Sequence, residues 1–489
     1  MRPLTALLSA TAVIMTPVTA TAQTRSLRQS DVAEAQKQHP QIIAEFGGAE
    51  TGARASYVEG VGRRVAVKSG IANSQAAYRF TTLNSAVENA FAVPGGYVYI
   101  TRQLMGLMND ESELGFVLGH EVGHIAANHA QARKSATTRN SILGILGAVL
   151  GSVVGNNAFG NLISQGAQQA ARLSTLRFSR EQEFQADTLG IRYVTAAGYD
   201  PSGGAGMLAA LSRATALEAR VQGKTNRSTP EWASTHPLSE NRSQRALAEA
   251  QRTGRIGKGL RNRDAFLAAL DGIYVDDDPA QGIIEGRTFT HPDLRLQFSV
   301  PTGYQMQNST RAVTIQGSAG QAQFSGGQFS GSLDSYIEQV LRQLGGNQQQ
   351  ISAPPAQRTT INGIPAAYTI AQANSQSGTV DVSVFAYQWD ANTAYHFVML
   401  TKGGAGVAPF ASMVDSLRRI SATQAAAIRP RIIDVVAVGA NDTVQSLASR
   451  MAYDDYKLER FLSLNGLSSN TRLVRGQKVK LVVSGARRS

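Results

Sequence analysis

Two long segments in the first half of the chain have the apolar spacing of amphipathic helices. Residues 110–134 open with Asp110 and Glu113, the pattern of a helix capping box, and continue in apolar residues. Residues 178–197 open with a polar, acidic turn and are followed by Gly198, a residue type that favours the end of a helix. The pattern therefore predicts two long helices as the main elements of this part of the chain.

Strand-like alternation occurs upstream of these helices, in residues 78–100. The stretch passes through a Pro-Gly-Gly turn, and since proline cannot donate to a ladder, the turn belongs at the edge of a sheet. The residues alone leave two readings open: an ordinary hairpin, or an edge strand that pairs with an extended peptide. The residues concerned are Val93, Pro94, Gly95, Gly96 and Tyr97.

The pattern of apolar and polar residues changes after a basic, glycine-rich stretch and a run of three aspartates. Residues 285–422 alternate short strands with one helix, which predicts a small α+β domain of unknown role. Residues 430–484 read as strand, helix, helix and strand, and predict a self-contained third unit. The fold class is thus α+β multidomain: a mainly helical domain with a small edge sheet at residues 23–275, then the α+β domain, then the βααβ unit.

Composition narrows the chemistry. Hydrophobic residues make up 42% and charged residues 17% of the 489 positions, which is typical of globular material and is enough for about two to four domains. Cysteine is absent, so disulfides, cysteine-ligated zinc and thiol catalysis are excluded. The net charge of +12 fits an anionic membrane surface or an acidic cell-wall polymer; no nucleic-acid motif accompanies it, and we expect no nucleic-acid partner.

The first 22 residues have the organisation of a secretory signal peptide. Arg2 precedes an apolar run, and Ala20-Thr21-Ala22 then forms an A-x-A cleavage site. The run is shorter than the roughly 20 residues that a membrane span requires. We therefore expect cleavage after Ala22, loss of residues 1–22 and a mature protein in a bacterial periplasm.

A second apolar run lies at residues 141–155 and is rich in glycine. It too is shorter than a typical span of roughly 20 residues. We expect it to form a buried or membrane-touching helical hairpin with residues 161–173, so membrane contact through 141–155 is part of the prediction.

The first predicted helix carries the chemistry, because it contains an H-E-x-x-H pattern. His120 and His124 are four residues apart, so both imidazoles project from one face of the helix. This spacing suits two ligands of one zinc ion, and Glu121 lies beside them as a general base for the water that zinc activates.

A third ligand must come from elsewhere. His129 lies nine residues after His120, roughly 180° around a regular helix, so we expect it to pack or to form hydrogen bonds rather than to bind the same ion. In the second helix Glu183 and Asp187 share a face, and Glu183 completes a catalytic His₂Glu set. Asp187 would then accept the outer N–H of a ligand imidazole. The alternative is an ordinary exposed acidic face.

Two further residues lie in a loop before the next helix. His236 precedes a proline and Arg242 follows six residues later. From the residues alone, structural roles suit both.

Several separated stretches of residues 40–250 resemble the HtpX/BepA-type gluzincins, peptidase family 48 of the zincin clan. They are NAFAVPGGYVYI, HEVGHIAANH, SREQEFQAD, AGYDP and THPLSENR. The resemblance implies an edge strand beside the active site, a zinc ligand at Glu183 and a supporting acid at Asp187. It also implies that His236 can approach the metal and that Arg242 lies near the substrate. Without an evident transmembrane pair, the chain resembles the periplasmic branch.

Residues 430–484 resemble a LysM module. The matching stretches are NDTVQSLASRM, LSLNGL and RGQKVKL, with Asn441 in place of the usual glycine. The resemblance implies binding to glycans that contain N-acetylglucosamine, and hence peptidoglycan as a partner.

Together these observations predict an exported endopeptidase with one Zn²⁺ per chain. The two helix histidines and Glu183 would hold zinc, Glu121 would act as general base, and His236 or Arg242 would stabilise the oxyanion. The substrates implied by the resemblance are misfolded or stalled proteins of the cell envelope, as in protein quality control. Two alternatives stay open: a peptidoglycan-bound chaperone or scaffold with latent protease activity, in which His236 is an inhibitory fourth ligand, and a peptidoglycan hydrolase.

Overall fold

The fold is taken from a computed structural model, which describes residues 25–130, 178–221, 232, 236, 241–345, 351–375 and 378–486. The predicted signal peptide and the apolar run with its partner segment lie outside the described residues, as does most of the loop around His236. Within the described ranges, no helix combines the length and the apolar character needed to cross a membrane.

The amino-terminal part of the chain is mainly helical. Within the described ranges its helices are α1 (Gln29–Glu45), α2 (Gly52–Ala66), α3 (Ser74–Ala77), α4 (Arg102–Leu107), α5 (Glu111–Ala126), α6 (Arg180–Ala196), α7 (Gly203–Val221), α8 (Arg242–Arg252) and α9 (Arg263–Leu270). Helix α5 is buried along nearly its whole length, and α2, α6 and α7 pack against it. The core of this part therefore lies around the predicted metal-binding helix.

A small sheet packs against these helices. Its strands are β1 (Arg79–Leu83), β2 (Ala90–Val93) and β3 (Tyr97–Thr101), in the order β1-β3-β2. Strand β2 is antiparallel to β3 and forms one edge of the sheet. The β2–β3 turn requires glycine, because a Cβ at Gly95 would lie 2.4 Å from the carbonyl oxygen of Asp31 and its φ is 106°.

Helix α5 starts as predicted and ends early. The Asp110 carboxylate caps it by accepting the backbone N–H groups of Ser112 and Glu113. The expected capping box does not form, because the Glu113 carboxylate accepts the N–H of Asn109 instead, at 2.7 Å. The helix ends at Ala126 rather than near residue 134. Two residues later Asn128 adopts a left-handed φ of 61°, which a continuing helix does not allow.

Glycines allow α5 and α6 to pack closely. A Cβ added to Gly190 of α6 would lie 3.1 Å from the backbone nitrogen of His120, and one added to Gly123 of α5 would lie 3.3 Å from the carbonyl oxygen of Ala186. The two helices therefore meet beside the residues predicted to bind metal.

The central part of the chain is a sheet domain. Strands β8 to β14 form a seven-stranded antiparallel sheet in the order β11-β12-β13-β14-β10-β9-β8. These strands are β8 (Gln305–Asn308), β9 (Val313–Gly317), β10 (Gly320–Gln328), β11 (Gln357–Ile361), β12 (Ile364–Ser375), β13 (Gly378–Gln388) and β14 (Thr393–Lys402). Helix α10 (Leu333–Gly345) covers one face.

A second, four-stranded sheet shares the aromatic core on the other face. It runs in the order β15-β7-β6-β5, from β5 (Ile283–Glu285), β6 (Thr288–His291), β7 (Leu296–Ser299) and β15 (Arg418–Arg419). The short helices α11 (Ala411–Ser416) and α12 (Ala422–Ala427) lead to the carboxyl-terminal part.

The carboxyl-terminal part has the predicted βααβ order, with β16 (Arg431–Ala437), α13 (Val444–Ser449), α14 (Lys457–Asn465) and β17 (Lys478–Ser484). It is not self-contained. Strand β16 pairs with β17 on one side and with β4 (Tyr274–Val275) of the amino-terminal part on the other. Ile433 of β16 is buried in the core that surrounds α5.

Candidate metal centre

Four buried side chains converge between α5 and α6. They are His120 and His124 from α5, Glu183 from α6 and His236 from the segment between α7 and α8, and one ligand-type atom of each lies within 4.8 Å of the others. The structure thus brings together the three predicted metal ligands and one of the predicted catalytic residues.

Local sequence positions these groups. His120 and His124 are one turn apart on α5. Helix α6 begins with a capping box between Ser179 and Gln182, which fixes its first turn immediately before Glu183.

Asp187 sets the proton position on the first ligand. Its Oδ1 lies 3.0 Å from Nδ1 of His120 and accepts the N–H there. Burial alone would raise the pKa of Asp187, but the Arg242 guanidinium holds it far below its usual range. The ionised carboxylate therefore leaves Nε2 of His120 as a free lone pair.

The proton position on His124 is set by a relay of hydrogen bonds that runs from Gln185 through His129. The Nε2 of His129 lies 2.9 Å from the amide oxygen of Gln185, which can only accept, so His129 carries its proton there. Its Nδ1 then accepts the N–H of His124 Nδ1, also at 2.9 Å. Burial, reinforced by His120, lowers the pKa of His124 well below its usual range and keeps the ring neutral.

Two imidazole lone pairs and a carboxylate therefore face one another. The Nε2 atoms of His120 and His124 lie 2.9 Å apart, and the Glu183 oxygens lie 3.6 Å from each. Such groups repel one another unless a cation lies between them. Neutral imidazoles with one carboxylate are the donors of catalytic zinc sites, so the residues present fit a divalent metal ion of this kind.

His236 is the fourth member of the group. Its Nδ1 lies 2.9 Å from Glu183 and 3.2 Å from Nε2 of His120. Burial would lower the pKa of His236, but the carboxylates of Glu183 and Glu121 hold it above its usual value. The structure therefore places His236 in contact with both a histidine and the carboxylate of the predicted metal set.

Glu121, the predicted general base, lies on the same helix and is also buried. Its Oε1 accepts the indole N–H of Trp232 at 3.3 Å and lies 3.6 Å from Nε2 of His236. The Trp232 and His236 rings stack at 4.9 Å between centroids, so this pair covers the carboxylate.

Arg242 is buried beside the Asp187 and Glu183 carboxylates. Its guanidinium makes two hydrogen bonds to Asp187, at 2.7 and 2.8 Å, and approaches Glu183 at 2.8 Å. A third bond runs to the backbone oxygen of His236. With its donors engaged in this way, Arg242 suits positioning of both carboxylates better than contact with a substrate.

The predicted edge strand runs beside the metal group. Ala92 and Pro94 of the β2 region line one pocket together with His124 and Ile125 of α5. Val93 and Tyr97 are themselves buried, and Gly95 and Gly96 form the turn with positive φ values. In the described part of the chain, the outer edge of β2 has no partner strand.

Sequence reasoning missed three contributors: Gln185, Trp232 and the tautomer-setting role of His129. The last depends on the helix break at Asn128, which returns His129 to His124 instead of leaving it on the far face. Gln185 could have been suggested by its place between Glu183 and Asp187, but nothing in the sequence singles out Trp232.

A buried His–His–Glu group with a second glutamate after the first histidine defines a metallopeptidase-type centre. The model of Peptidase family M48 matches residues 52–250, which include every residue of this centre. Residues 52–250 are therefore a domain of peptidase family M48.

Named relatives share this part of the chain. The beta-barrel assembly-enhancing protease of Escherichia coli O157:H7 is 29% identical over 200 residues, which are 40% of this chain and 38% of that protein. The protein of the same name in Yersinia pestis is 30% identical over 190 residues, 38% of this chain and 37% of its own length. Mitochondrial metalloendopeptidase OMA1 of Arabidopsis thaliana is 30% identical over 119 residues, 24% of this chain and 22% of that one. The chain thus spans about two fifths or less of these relatives.

Proposed function

We propose that the chain is a zinc-dependent endopeptidase. The observation that carries this proposal is the buried group of His120, His124 and Glu183, with the Glu121 carboxylate beside it, inside a family M48 domain. Bound zinc would act as a Lewis acid that polarises the peptide carbonyl and makes water a stronger acid.

The chain's own residues would manage the protons. Glu121 takes a proton from the attacking water while the water oxygen bonds to the carbonyl carbon. Glu121 then passes that proton to the leaving amine as the C–N bond breaks. The indole N–H of Trp232 orients the carboxylate. Nε2 of His236 lies 3.6 Å from the Glu121 carboxylate, and its N–H would donate a hydrogen bond to the oxyanion. Arg242 holds Asp187 and Glu183 in place.

The edge strand β2 would hold the substrate. An extended peptide that adds as a strand to β2 passes the pocket shared by Pro94 and His124, so its backbone is held beside the metal group. Unstructured or partly unfolded segments meet this requirement more readily than folded ones. This favours misfolded or stalled proteins as substrates.

We place this activity in the cell envelope, as quality control in a bacterial periplasm. The signal-peptide pattern of residues 1–22 supports export, and the LysM-like residues 430–484 support contact with peptidoglycan. Envelope proteins captured by the Glu121→Gln variant of the mature chain in cells, compared with an exposed-site control such as Glu59→Gln, would identify the substrates. Equal capture by both variants would argue against a protease substrate at this site.

The metal requirement has a direct test. Casein cleavage by residues 23–489 should disappear on chelation, return with Zn²⁺, and be absent in Glu183→Ala. Glu249→Ala, on α8, is the matched control and should keep full activity. Cleavage that survives both chelation and Glu183→Ala would contradict the proposal.

A second candidate function is a peptidoglycan-bound chaperone or scaffold with latent protease activity. The observation that favours it is the closed site, since His236 contacts Glu183 while Trp232 and His236 cover Glu121. If this function is correct, His236→Ala should gain protease activity, and the full chain should sediment with peptidoglycan. Loss of activity in His236→Ala favours the catalytic role instead.

A further inference from the structure

The segment that joins the end of α4 to the start of α5 is held in place by the carboxyl-terminal unit. The Lys480 ammonium, on β17, donates to the backbone oxygens of Gly106 at 2.7 Å and Met108 at 2.6 Å. Lys480 has no exposed surface. The last turn of α4 and the residue that follows it therefore bind a side chain that is more than 370 positions away in sequence.

Glu113 and Arg263 hold the same segment at Asn109. The Glu113 carboxylate accepts the N–H of Asn109, and the Arg263 guanidinium donates to the backbone oxygen of Asn109 at 2.7 Å. Arg263 also donates to the backbone oxygen of Lys478, at 3.1 Å. Strand β17 and the start of α5 are thus joined through two cations.

Lysine is an unusual choice for this position. Burial lowers the pKa of Lys480 to about 7, although the nearby Glu113 carboxylate opposes the shift. An apolar side chain would be buried at a lower cost in desolvation. Only a donor, however, can satisfy both carbonyl groups, and one register of β17 brings Nζ to them. The lysine therefore specifies a position rather than adding bulk.

That position matters because a small tilt at the start of α5 becomes a larger displacement at His120. His120 lies nine residues after Glu111, or about 13 Å along the helix axis. A tilt of about 5° at the start of the helix would move His120 by about 1 Å, more than the roughly 0.5 Å that a working site tolerates. The contact between Gly190 and the His120 backbone leaves little room to absorb such a shift.

We propose that Lys480 is a positioning residue for the metal helix, so that the carboxyl-terminal unit sets how tightly the peptidase site binds its metal. This inference rests on the proposed zinc site. It assigns the βααβ unit a role in the peptidase itself, in addition to any glycan that it binds.

The test compares Lys480→Met with Leu481→Ala in residues 23–489. Leu481 is the next residue on β17, but its side chain is buried in the unit's own core. The dissociation constant for Zn²⁺ alone is measured by competition with a chromophoric chelator, well below each variant's unfolding temperature. Lys480→Met should raise it by about threefold to thirtyfold, and Leu481→Ala should leave it within about twofold. Lys480→Arg, which keeps a cationic donor, should fall between wild type and Lys480→Met.

Two results would overturn the inference: no change in Lys480→Met, or an equal change in both variants. If Lys480→Met does not fold, Arg263→Met replaces it, since Arg263 joins the same two segments; an unchanged constant in that variant would count equally against the inference. Failure of the wild type to bind about one Zn²⁺ per chain would instead refute the proposed function on which the inference rests.

Discussion

Nδ1 of His129 lies 2.9 Å from Nδ1 of His124, and this contact fixes which nitrogen of His124 is free to bind a metal. The His129 ring is itself oriented by Gln185 of α6. Asp187, two residues further along α6, orients the ring of His120 in the same way. One helix therefore supplies Glu183 and also sets the tautomers of both histidines.

Loss of His129 should weaken the metal site while every proposed ligand stays in place. His129→Ala frees the His124 ring to rotate or to change tautomer, so we expect the Zn²⁺ dissociation constant to rise about 10- to 100-fold. Gln185→Leu should produce a smaller rise in the same direction. Chelator competition measures both, with His291→Ala of β6 as the control; equal affinity in His129→Ala and wild type would refute the relay.

The glycine contact between α5 and α6 predicts a steric effect. Gly190→Val places side-chain atoms against the His120 backbone, where a Cβ alone already lies at 3.1 Å. We expect a loss of about 1–3 kcal/mol in the free energy of unfolding, together with weaker Zn²⁺ binding. Gly60→Ala on α2 is the control, because its Cβ would meet nothing within 4 Å. That change should be neutral or stabilising by up to about 1 kcal/mol. Equal stability of the two variants would contradict the packing account.

Arg242 offers a way to separate positioning from contact with the substrate. Arg242→Lys replaces the two nitrogens that bind the two oxygens of Asp187 by a single nitrogen, so the paired geometry is lost and the buried carboxylates lose part of their compensation. We expect lower thermal stability and weaker Zn²⁺ binding as well as lower activity. Loss of a residue that acts only on the oxyanion would lower kcat and leave thermal stability and Zn²⁺ binding unchanged. That pattern would contradict the positioning role.

The central sheet domain should be acid-sensitive through His396. Burial lowers the pKa of this imidazole to about 4, and its ring nitrogens contact the hydroxyls of Tyr336 and Ser325. Between pH 6.5 and 4 the unfolded chain holds a proton that the folded domain lacks, so stability falls as the pH falls. From pH 7 to 5 the loss should be about 2 kcal/mol. Calorimetry of the domain's unfolding transition in wild type and His396→Asn measures it; an equal pH dependence in both would exclude His396 as the cause.

Helical spacing carried most of the information that the sequence holds about the site. It predicted that His120 and His124 share a face, as do Glu183 and Asp187, and the structure has both pairs facing each other across α5 and α6. The roles assigned to these residues stay predictions until metal and activity are measured.

What the sequence could not predict depends on breaks and on long-range contacts. A single left-handed residue, Asn128, ends α5 early and brings His129 back to His124, so the hydrogen-bonding role expected of His129 falls on a predicted metal ligand. The pairing of β16 with β4 joins segments more than 150 residues apart, and no periodicity within either segment encodes it. Lys480 reads as an ordinary strand lysine until the turn at Gly106 is placed beside it.

The central claim is tested most directly by Glu121→Gln in residues 23–489, with zinc content and casein cleavage measured on the same preparation. Glu121 acts as a base and is not a ligand in this account, so the variant should retain about one zinc per chain and lose cleavage by about 100-fold or more. Full cleavage with zinc bound would contradict the mechanism, and loss of zinc would show that Glu121 belongs to the metal set instead.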